Sequence, residues 1–288
     1  MLKFIFFGAG YCSKYIIPLL PKGCEIICTH NLKIKENSDD KKYNLKRLCF
    51  NDFLKKKEIL LKDVSFILNS IPPTEHGDIV INNLKENILE NKEKLRWFGY
   101  FSSTSVYGNY NGDWVDENSK LIPKTSRGIL RKKCEVDHLN LFRLNSLPIH
   151  IFRLPGIYGP GRSVFDKVRN GQLTEIIKKD HFFSRVYVED IGSAINKSVN
   201  NPTPGEIFNL SDDMPCQSSE IVRYAASLIK ISKIKTLNYD DTKLNEKIRS
   251  FYFDNKRVRN LKIKKILDWT PKYGNYKLGL KRILEILT

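Results

Sequence analysis

Lys3-Phe-Ile-Phe-Phe-Gly-Ala-Gly-Tyr-Cys-Ser13 is an apolar run that ends at two closely spaced glycines. Its four consecutive apolar residues are typical of a parallel-sheet strand buried on both faces. Gly8 allows a tight turn, and Gly10 removes a side chain where a backbone must approach a pyrophosphate at the start of the next helix. Ser13 takes the third glycine position of G-x-G-x-x-G. The run predicts a dinucleotide site; the alternative is a strand-to-helix turn whose glycines serve conformation alone. The expected cofactor-binding residues here are Gly8, Gly10, Tyr11, Cys12 and Ser13.

Length and composition favour a globular protein. The chain has 288 residues, 41% of them hydrophobic, enough for one large α/β domain or a domain with a smaller lobe. Its six cysteines are scattered, and no second Cys/His pair has zinc spacing. We therefore expect free thiols, no metal site and a cytoplasmic location. The first apolar run is too short for a signal peptide, and no stretch approaches transmembrane length, so we expect no membrane association.

The net charge is +17, from 49 Lys and Arg against 32 Asp and Glu. Such an excess raises nucleic acid as a partner. The lysines recur from end to end, however, and no basic block is interleaved with stacking aromatic residues. We therefore expect no nucleic-acid partner, and an anionic small molecule as the substrate.

The second predicted strand, 24–29, bears on the choice of cofactor. NAD-preferring sites usually place an acidic residue at the end of this strand to hold the ribose hydroxyls. Here Thr29 and His30 occupy that place, and Lys33 and Lys35 follow. Nothing repels a 2′-phosphate, so the sequence favours NADP somewhat over NAD. The alternative for His30 is an exposed loop position.

Two more strands are predicted to end at cofactor contacts. The third, 46–50, ends near Asp52, which is expected either to meet an adenine amino group or to cap the helix 53–61. The fourth, 64–69, runs into an extended loop set by two prolines, which can pass over a cofactor. Further helices and strands alternate, which predicts a parallel sheet with right-handed crossovers. The expected cofactor contacts of this loop are Ser70, Ile71 and Pro72.

The fifth predicted strand, 95–101, leads into the motif Phe101-Ser-Ser-Thr-Ser-Val-Tyr-Gly108. Three later stretches agree with it in order and spacing: Arg153-Leu-Pro-Gly-Ile-Tyr-Gly-Pro-Gly-Arg162, Phe183-Ser-Arg-Val-Tyr-Val-Glu-Asp190 and Ile207-Phe-Asn-Leu-Ser-Asp-Asp-Met-Pro215. With Lys256-Arg-Val-Arg-Asn260, the chain resembles the extended short-chain dehydrogenase/reductases, the superfamily of nucleotide-sugar epimerases and dehydratases. It most resembles the atypical subgroup that includes the YeeZ-like proteins.

This resemblance implies a Rossmann-like, doubly wound parallel sheet of about seven strands with a small C-terminal substrate lobe. It places residues 1–160 in the NAD(P)-binding domain, with 186–212 returning to the sheet, and residues 161–185 and 213–288 in the lobe. It further implies a homodimer through paired helices, one including residues 127–141. Pro155 is expected to border the cofactor. The expected substrate contacts are Thr104, Ser105, Arg162 and Arg185.

The resemblance fails at the catalytic pair. The family's catalytic hydroxyl carries over to Ser103, but its Tyr-x-x-x-Lys pair falls on Arg127 and Arg131. A guanidinium stays protonated and only donates hydrogen bonds, so neither arginine can accept a proton as a tyrosinate would. Either could polarise a carbonyl or clamp a phosphate, or could lie with its head in solvent. We therefore keep two hypotheses: an oxidoreductase or epimerase/dehydratase-like protein with altered proton transfer, or a catalytically inactive dinucleotide-binding sensor or scaffold.

Overall fold

The computed structural model describes residues 1–32, 34, 38–169, 173–240, 244 and 246–288. Lys33 and Lys35, on which the NADP prediction partly depends, lie outside these ranges. The strands are β1 (Lys3–Phe7), β2 (Glu25–His30), β3 (Leu45–Cys49), β4 (Phe66–Asn69), β5 (Trp97–Ser103), β6 (Trp114–Val115), β7 (Ile149–Leu154), β8 (Gly156–Tyr158), β9 (Thr174–Ile177), β10 (Arg185–Tyr187), β11 (Ile207–Asn209), β12 (Lys235–Asn238) and β13 (Arg257–Val258). The helices are α1 (Ser13–Ile16), α2 (Ser38–Lys42), α3 (Phe50–Leu54), α4 (Lys57–Leu61), α5 (Ile79–Glu90), α6 (Ser126–Asn145), α7 (Val164–Arg169), α8 (Val188–Asn200), α9 (Ser218–Leu228), α10 (Glu246–Phe251), α11 (Leu261–Leu267) and α12 (Tyr276–Leu287).

The central sheet has seven strands in the order β11-β7-β5-β4-β1-β2-β3. Its strands run parallel, and β1 lies inside the sheet between β2 and β4. The predicted Rossmann-like parallel sheet flanked by helices is confirmed. The strand order changes direction between β1 and β4, and ligands of open α/β sheets bind at such switch points.

Aromatic side chains on β1 supply much of the core of this sheet. Phe4, Phe6 and Phe7 are fully buried. The Phe7 ring packs edge-on against Phe53 of α3, with 5.1 Å between ring centroids. On the sheet, Phe4 lies 6.0 Å from Phe66 of the neighbouring strand, again between centroids. Burying each ring contributes roughly 1.5–3 kcal/mol, so a strand without polar alternation is stable only in the sheet interior.

The chain folds into two compact units. The first unit comprises Met1–Ser103, Ser126–Arg153 and Ile191–Phe208, and the second comprises Thr104–Thr125, Leu154–Asp190 and Asn209–Thr288. The sequence placed residues 104–125 and 154–160 with the dinucleotide domain, and the structure groups them with the second unit instead. The reason is strand pairing, because β6 pairs with β13 and β8 pairs with β10. Of the predicted returning segment 186–212, residues 191–208 belong to the first unit.

Helix α8 packs closely on the segment that follows the glycine turn. A Cβ added at Gly192 would lie 2.2 Å from the backbone oxygen of Tyr15 and 3.2 Å from the Leu19 side chain. Pro18 divides this segment, which is α1 followed by a 3-10 turn over Ile17–Leu19.

Gly192→Ala is expected to destabilise the protein. Alanine favours a helix by about 1 kcal/mol over glycine, but at 2.2 Å from a backbone oxygen the new methyl forces the two elements apart. Overpacking of this kind costs typically about 1–3 kcal/mol, so the clash outweighs the helix propensity. Urea denaturation measures the change. Asn200→Ala, at the exposed end of the same helix, is the control and should shift the midpoint little; a stabilised Gly192→Ala variant would contradict the packing described.

Candidate functional site

The glycine turn after β1 is built on a close approach between two loops. Gly8 has a φ of +75°, and a Cβ there would lie 2.7 Å from Cγ1 of Ile71. The Ser70 hydroxyl donates to the Gly8 carbonyl oxygen at 2.7 Å. Ser70 and Ile71, predicted to contact a cofactor, therefore contact this turn, and Gly8 is required by both its backbone conformation and its neighbours.

Gly10 is in a different environment. It is exposed, and a Cβ there would meet only the Gly8 carbonyl oxygen, at 3.8 Å. The Ser13 hydroxyl donates to the Gly10 carbonyl oxygen at 2.6 Å and fixes the turn. Within the described residues, the Gly10 N–H has no hydrogen-bond acceptor. An open backbone with an available donor fits a phosphate of a dinucleotide. Tyr11 and Cys12 complete the turn between these residues.

Residues expected around the adenosine have structural roles that the sequence did not reveal. The Thr29 hydroxyl is buried and accepts from the Gly8 N–H at 3.2 Å. His30 ends β2 and is half-buried, with Nε2 3.4 Å from Nη1 of Arg47. Burial, and secondly the charge of Arg47, lower the pKa of His30. The interpretation of His30 as an exposed loop residue is therefore wrong. Arg47 is itself paired with the buried Asp40 at 2.8 Å.

Asp52 does not cap a helix. The residue at the N-terminal cap of α3 is Cys49, and Asp52 lies in the first turn of α3, where its carboxylate pairs with Lys55 at 3.2 Å. The helix predicted over 53–61 is two short helices, because the chain breaks at Lys55 and Lys56. Pro72 is exposed, and Pro155 is half-buried between β7 and β8.

A buried polar network behind the turn was missed from the sequence. The Ile71 N–H donates to Oδ1 of Asn69, and Nδ2 of Asn69 donates to Oδ2 of Asp78 at 2.7 Å. Nε2 of His138 lies 3.7 Å from the same carboxylate oxygen, and the His138 ring stacks on Tyr100 at 4.1 Å. Burial lowers the pKa of His138, which favours the neutral ring. The network connects the loop at Ile71 with β5 and α6.

Helix α6 fixes the carboxyl end of β5 through its buried face. Arg131 is buried and donates to the Phe101 carbonyl oxygen and, at 3.2 Å, to the Tyr100 hydroxyl. Glu135 accepts from the Ser102 hydroxyl at 2.6 Å and pairs with Arg153 at 2.7 Å. The sequence allowed the Arg131 guanidinium to lie in solvent, and this interpretation is wrong.

The predicted catalytic residues lie in the first unit at different depths. Ser103 is the last residue of β5 and is buried, whereas Arg127 lies exposed in the first turn of α6. Arg131 lies one turn further along the helix, with its guanidinium directed at the strand. Among the described residues, no group of three or more His, Cys, Asp or Glu could hold a metal ion.

The second unit contains a cavity of about 440 Å³. Arg162 and Arg185, both predicted as substrate contacts, line it, together with the aromatic rings of Tyr158 and Tyr276. Nη1 of Arg185 donates to the Phe183 carbonyl oxygen at 3.0 Å, which holds the guanidinium in place. Thr104 and Ser105 form a 3-10 turn elsewhere in the unit and do not line this cavity.

Two buried carboxyl groups lie close to the Arg185 strand. Asp212 is 2% exposed, and burial, only partly offset by the charge of Arg185, raises its pKa to about 8. Burial also raises the pKa of Asp190, to about 6, although its oxygens accept from the Lys272 and Tyr273 N–H groups at 2.7 and 3.0 Å. From the first turn of α8, the Asp190 carboxylate thereby holds the loop before α12.

One solved structure is similar to this chain in both sequence and fold. It is a conserved protein of unknown function from Silicibacter pomeroyi, with 35% identity, 99% coverage of each chain and a TM-score of 0.88. The chain belongs to the same family as that conserved protein. No protein-family model and no curated protein matches the sequence.

The fold of this family is shared with nucleotide-sugar enzymes. dTDP-glucose 4,6-dehydratase from Bacillus anthracis, solved in complex with NAD, matches 99% of this chain and 96% of its own at 19% identity and a TM-score of 0.76. UDP-glucuronic acid 4-epimerase from Bacillus cereus, also with NAD, covers 99% of both chains at 17% identity and the same TM-score. At such identities the likeness establishes the fold, and membership of the YeeZ-like subgroup stays a prediction. None of the described helices is long and apolar enough to cross a membrane.

Asp212→Asn should change how stability depends on pH. Because the folded-state pKa of about 8 lies above the ordinary 3.8, the contribution of Asp212 to stability is complete below about pH 4 and is lost as pH rises towards 8. Between pH 5 and pH 8, the free energy of unfolding of the variant should therefore rise by up to about 4 kcal/mol relative to that of the native protein. Denaturant unfolding at both pH values measures this. Asp213→Asn, at the more exposed neighbour paired with Lys264, is the control; parallel pH curves for Asp212→Asn and the native protein would refute the assignment.

Proposed function

We propose that the first unit binds NAD at the turn after β1. The observation that carries this proposal is the open backbone at Gly10, held by Ser13 at the switch point of the sheet. Neighbours of the same fold are solved with NAD, which supports a dinucleotide of that kind. When bound, NAD would accept or return a hydride.

We propose that the cavity in the second unit holds an anionic substrate, a sugar linked to a nucleotide. Two arginines on one cavity provide the charge for a diphosphate or carboxylate. Tyr158 and Tyr276 add flat apolar walls. A fold neighbour, MoeE5, is solved with UDP-glucuronic acid and NAD, which supports this substrate class. The function is then an oxidoreductase or an epimerase/dehydratase-like activity.

The choice between NAD and NADP depends on the end of β2. The sequence favoured NADP because it lacks an acidic residue there. His30 and the Arg47–Asp40 pair occupy this strand end in the structure, and the fold neighbours are solved with NAD. We therefore propose NAD as the cofactor, and parallel titrations with NADP test the original preference.

The proposed chemistry assigns different roles to the residues of α6 and β5. Ser103 donates its hydroxyl to a substrate oxygen, and Arg127 supplies a fixed positive charge beside a developing oxyanion. Neither can be the proton acceptor that the family's tyrosine provides. Arg131 is a positioning residue, because its guanidinium donates to the backbone of β5. The proton must then leave through a group other than these arginines.

A second candidate function is a dinucleotide sensor or scaffold without turnover. The observation that favours it is again Arg131, which occupies the family's lysine position and is engaged by Phe101 and Tyr100. A cytoplasmic homodimer fits either function. The proposed dimer surface on α6 carries Ile129 and Val136, seven residues apart and about half exposed.

Gly10→Ala is expected to weaken NAD binding about tenfold without destabilising the fold. The added methyl meets no protein atom closer than 3.8 Å, but it fills the space into which a pyrophosphate must approach. Isothermal titration calorimetry measures the affinity, and thermal unfolding without ligand measures the fold. Gly23→Ala, at a turn where φ is +74° and a Cβ meets nothing within 4 Å, is the control; backbone strain should lower its unfolding temperature, but it should keep native affinity. Equal affinity in the Gly10 variant, or no NAD binding by the native protein, would refute this site.

Arg127→Ala separates the two functions. In an enzyme, removing a fixed donor at an oxyanion lowers kcat about 10²- to 10³-fold while the NAD affinity stays the same. The measurement is absorbance of the reduced cofactor with a panel of nucleotide sugars. Lys132→Ala, which removes a charge from the next turn of the same helix, is the control. A native protein that binds NAD but turns over no member of the panel would favour the sensor.

A further inference from the structure

A stack of planar side chains lies on the surface of the second unit, and the proposed function does not use it. Arg257 begins β13 and Arg259 directly follows the end of this strand, and both side chains approach the same aromatic ring. Their guanidinium carbons lie 5.4 and 5.1 Å from the ring centroid of Trp114, on the paired strand β6. Arg257 also lies 4.7 Å from the Phe182 ring. We call Phe182, Arg257, Trp114 and Arg259 the arginine–tryptophan stack.

The stack is held rigidly by the backbone around it. Nδ2 of Asn255 donates to the Asp180 carbonyl oxygen at 2.7 Å, and its Oδ1 accepts from the Phe182 N–H at 2.9 Å. Nε of Arg257 donates to the Gly112 carbonyl oxygen at 2.6 Å. Two separate loops are thereby fixed to the segment that contains β13. A surface already ordered in this way loses little conformational entropy when it binds a ligand.

The charges of the stack are not neutralised within the described part of the chain. Neither Arg257 nor Arg259 has a carboxylate within 4 Å among the described residues. Arg259 and Trp114 are exposed, Trp114 to 40%. The surface is therefore suited to a partner with repeated negative charges.

We propose that the arginine–tryptophan stack binds single-stranded nucleic acid. Guanidinium planes and aromatic rings stack with unpaired bases, while the guanidinium edges contact phosphates. An acidic peptide would pair with the guanidinium charges, but it would not stack on the planar faces of the guanidinium groups and aromatic rings. The linear sequence argues against nucleic acid, because no basic block in it contains stacking aromatic residues. Folding supplies them from distant parts of the chain, since Trp114 and Phe182 come to β13 from two other segments.

Fluorescence anisotropy of a labelled 20-nucleotide single-stranded oligouridylate with the full chain tests this proposal. The native protein should bind it, and Arg259→Ala should weaken binding about tenfold. Arg259→Lys keeps the charge but loses the plane, so it should weaken binding while leaving the salt dependence nearly unchanged. Lys265→Ala, which removes an exposed charge outside the stack, is the control and should change affinity less than threefold.

Intrinsic fluorescence gives an independent readout. Of the three tryptophans, Trp97 and Trp269 are buried, so a spectral change on adding oligouridylate reports Trp114. Trp114→Phe should abolish that change and leave NAD affinity intact. The proposal is overturned if the oligonucleotide does not bind at high micromolar concentration. It is also overturned if Arg259→Ala and Lys265→Ala weaken binding equally, or if polyglutamate of the same length competes as well as the oligonucleotide.

Discussion

The close contact between the Gly8 turn and the loop at Ser70 and Ile71 is the constraint on which the first unit depends. Strands β1 and β4 are neighbours at the switch point, and their ends must turn in opposite directions within a few ångströms. Only glycine combines the positive φ with the missing Cβ that this requires. The Ser70 hydroxyl then bonds to the Gly8 carbonyl oxygen, and Thr29 accepts from the Gly8 N–H. The turn is thereby fixed on both sides, and Gly10 is left open.

Helix α6 gives Arg131, which the sequence predicts as a catalytic residue, contacts that hold the end of a strand. Arg131 and Glu135, one turn apart, hold three consecutive residues at the end of β5 through a backbone oxygen and two hydroxyls. Glu135 and Arg153 are both 2% exposed, and breaking such a pair by removing one partner costs about 3–5 kcal/mol. The position of Ser103 therefore depends on the buried charges that hold the preceding residues of β5.

Local patterns predicted the sheet well. The apolar run of β1 and the alternation of strands and helices follow from periodicity and turn residues. Side-chain partners far apart in sequence were not predictable. Asp78 caps α5 and also meets Asn69 and His138. Asp52 was expected to meet an adenine amino group or to cap a helix, and Cys49 holds the cap position. Thr29 looked like a ribose contact, and its partner is a backbone N–H that local sequence does not reveal.

The interleaving of the two units has a consequence for synthesis on the ribosome. The chain passes from one unit to the other five times, and the last segment of the first unit ends at Phe208. An emerging nascent chain therefore cannot finish the first unit until more than two-thirds of the protein has been translated. The second unit must then wait for α12, whose preceding loop is held by Asp190. Such long-range pairing implies slow folding, and a half-length fragment would expose unpaired strand edges to chaperones and proteases.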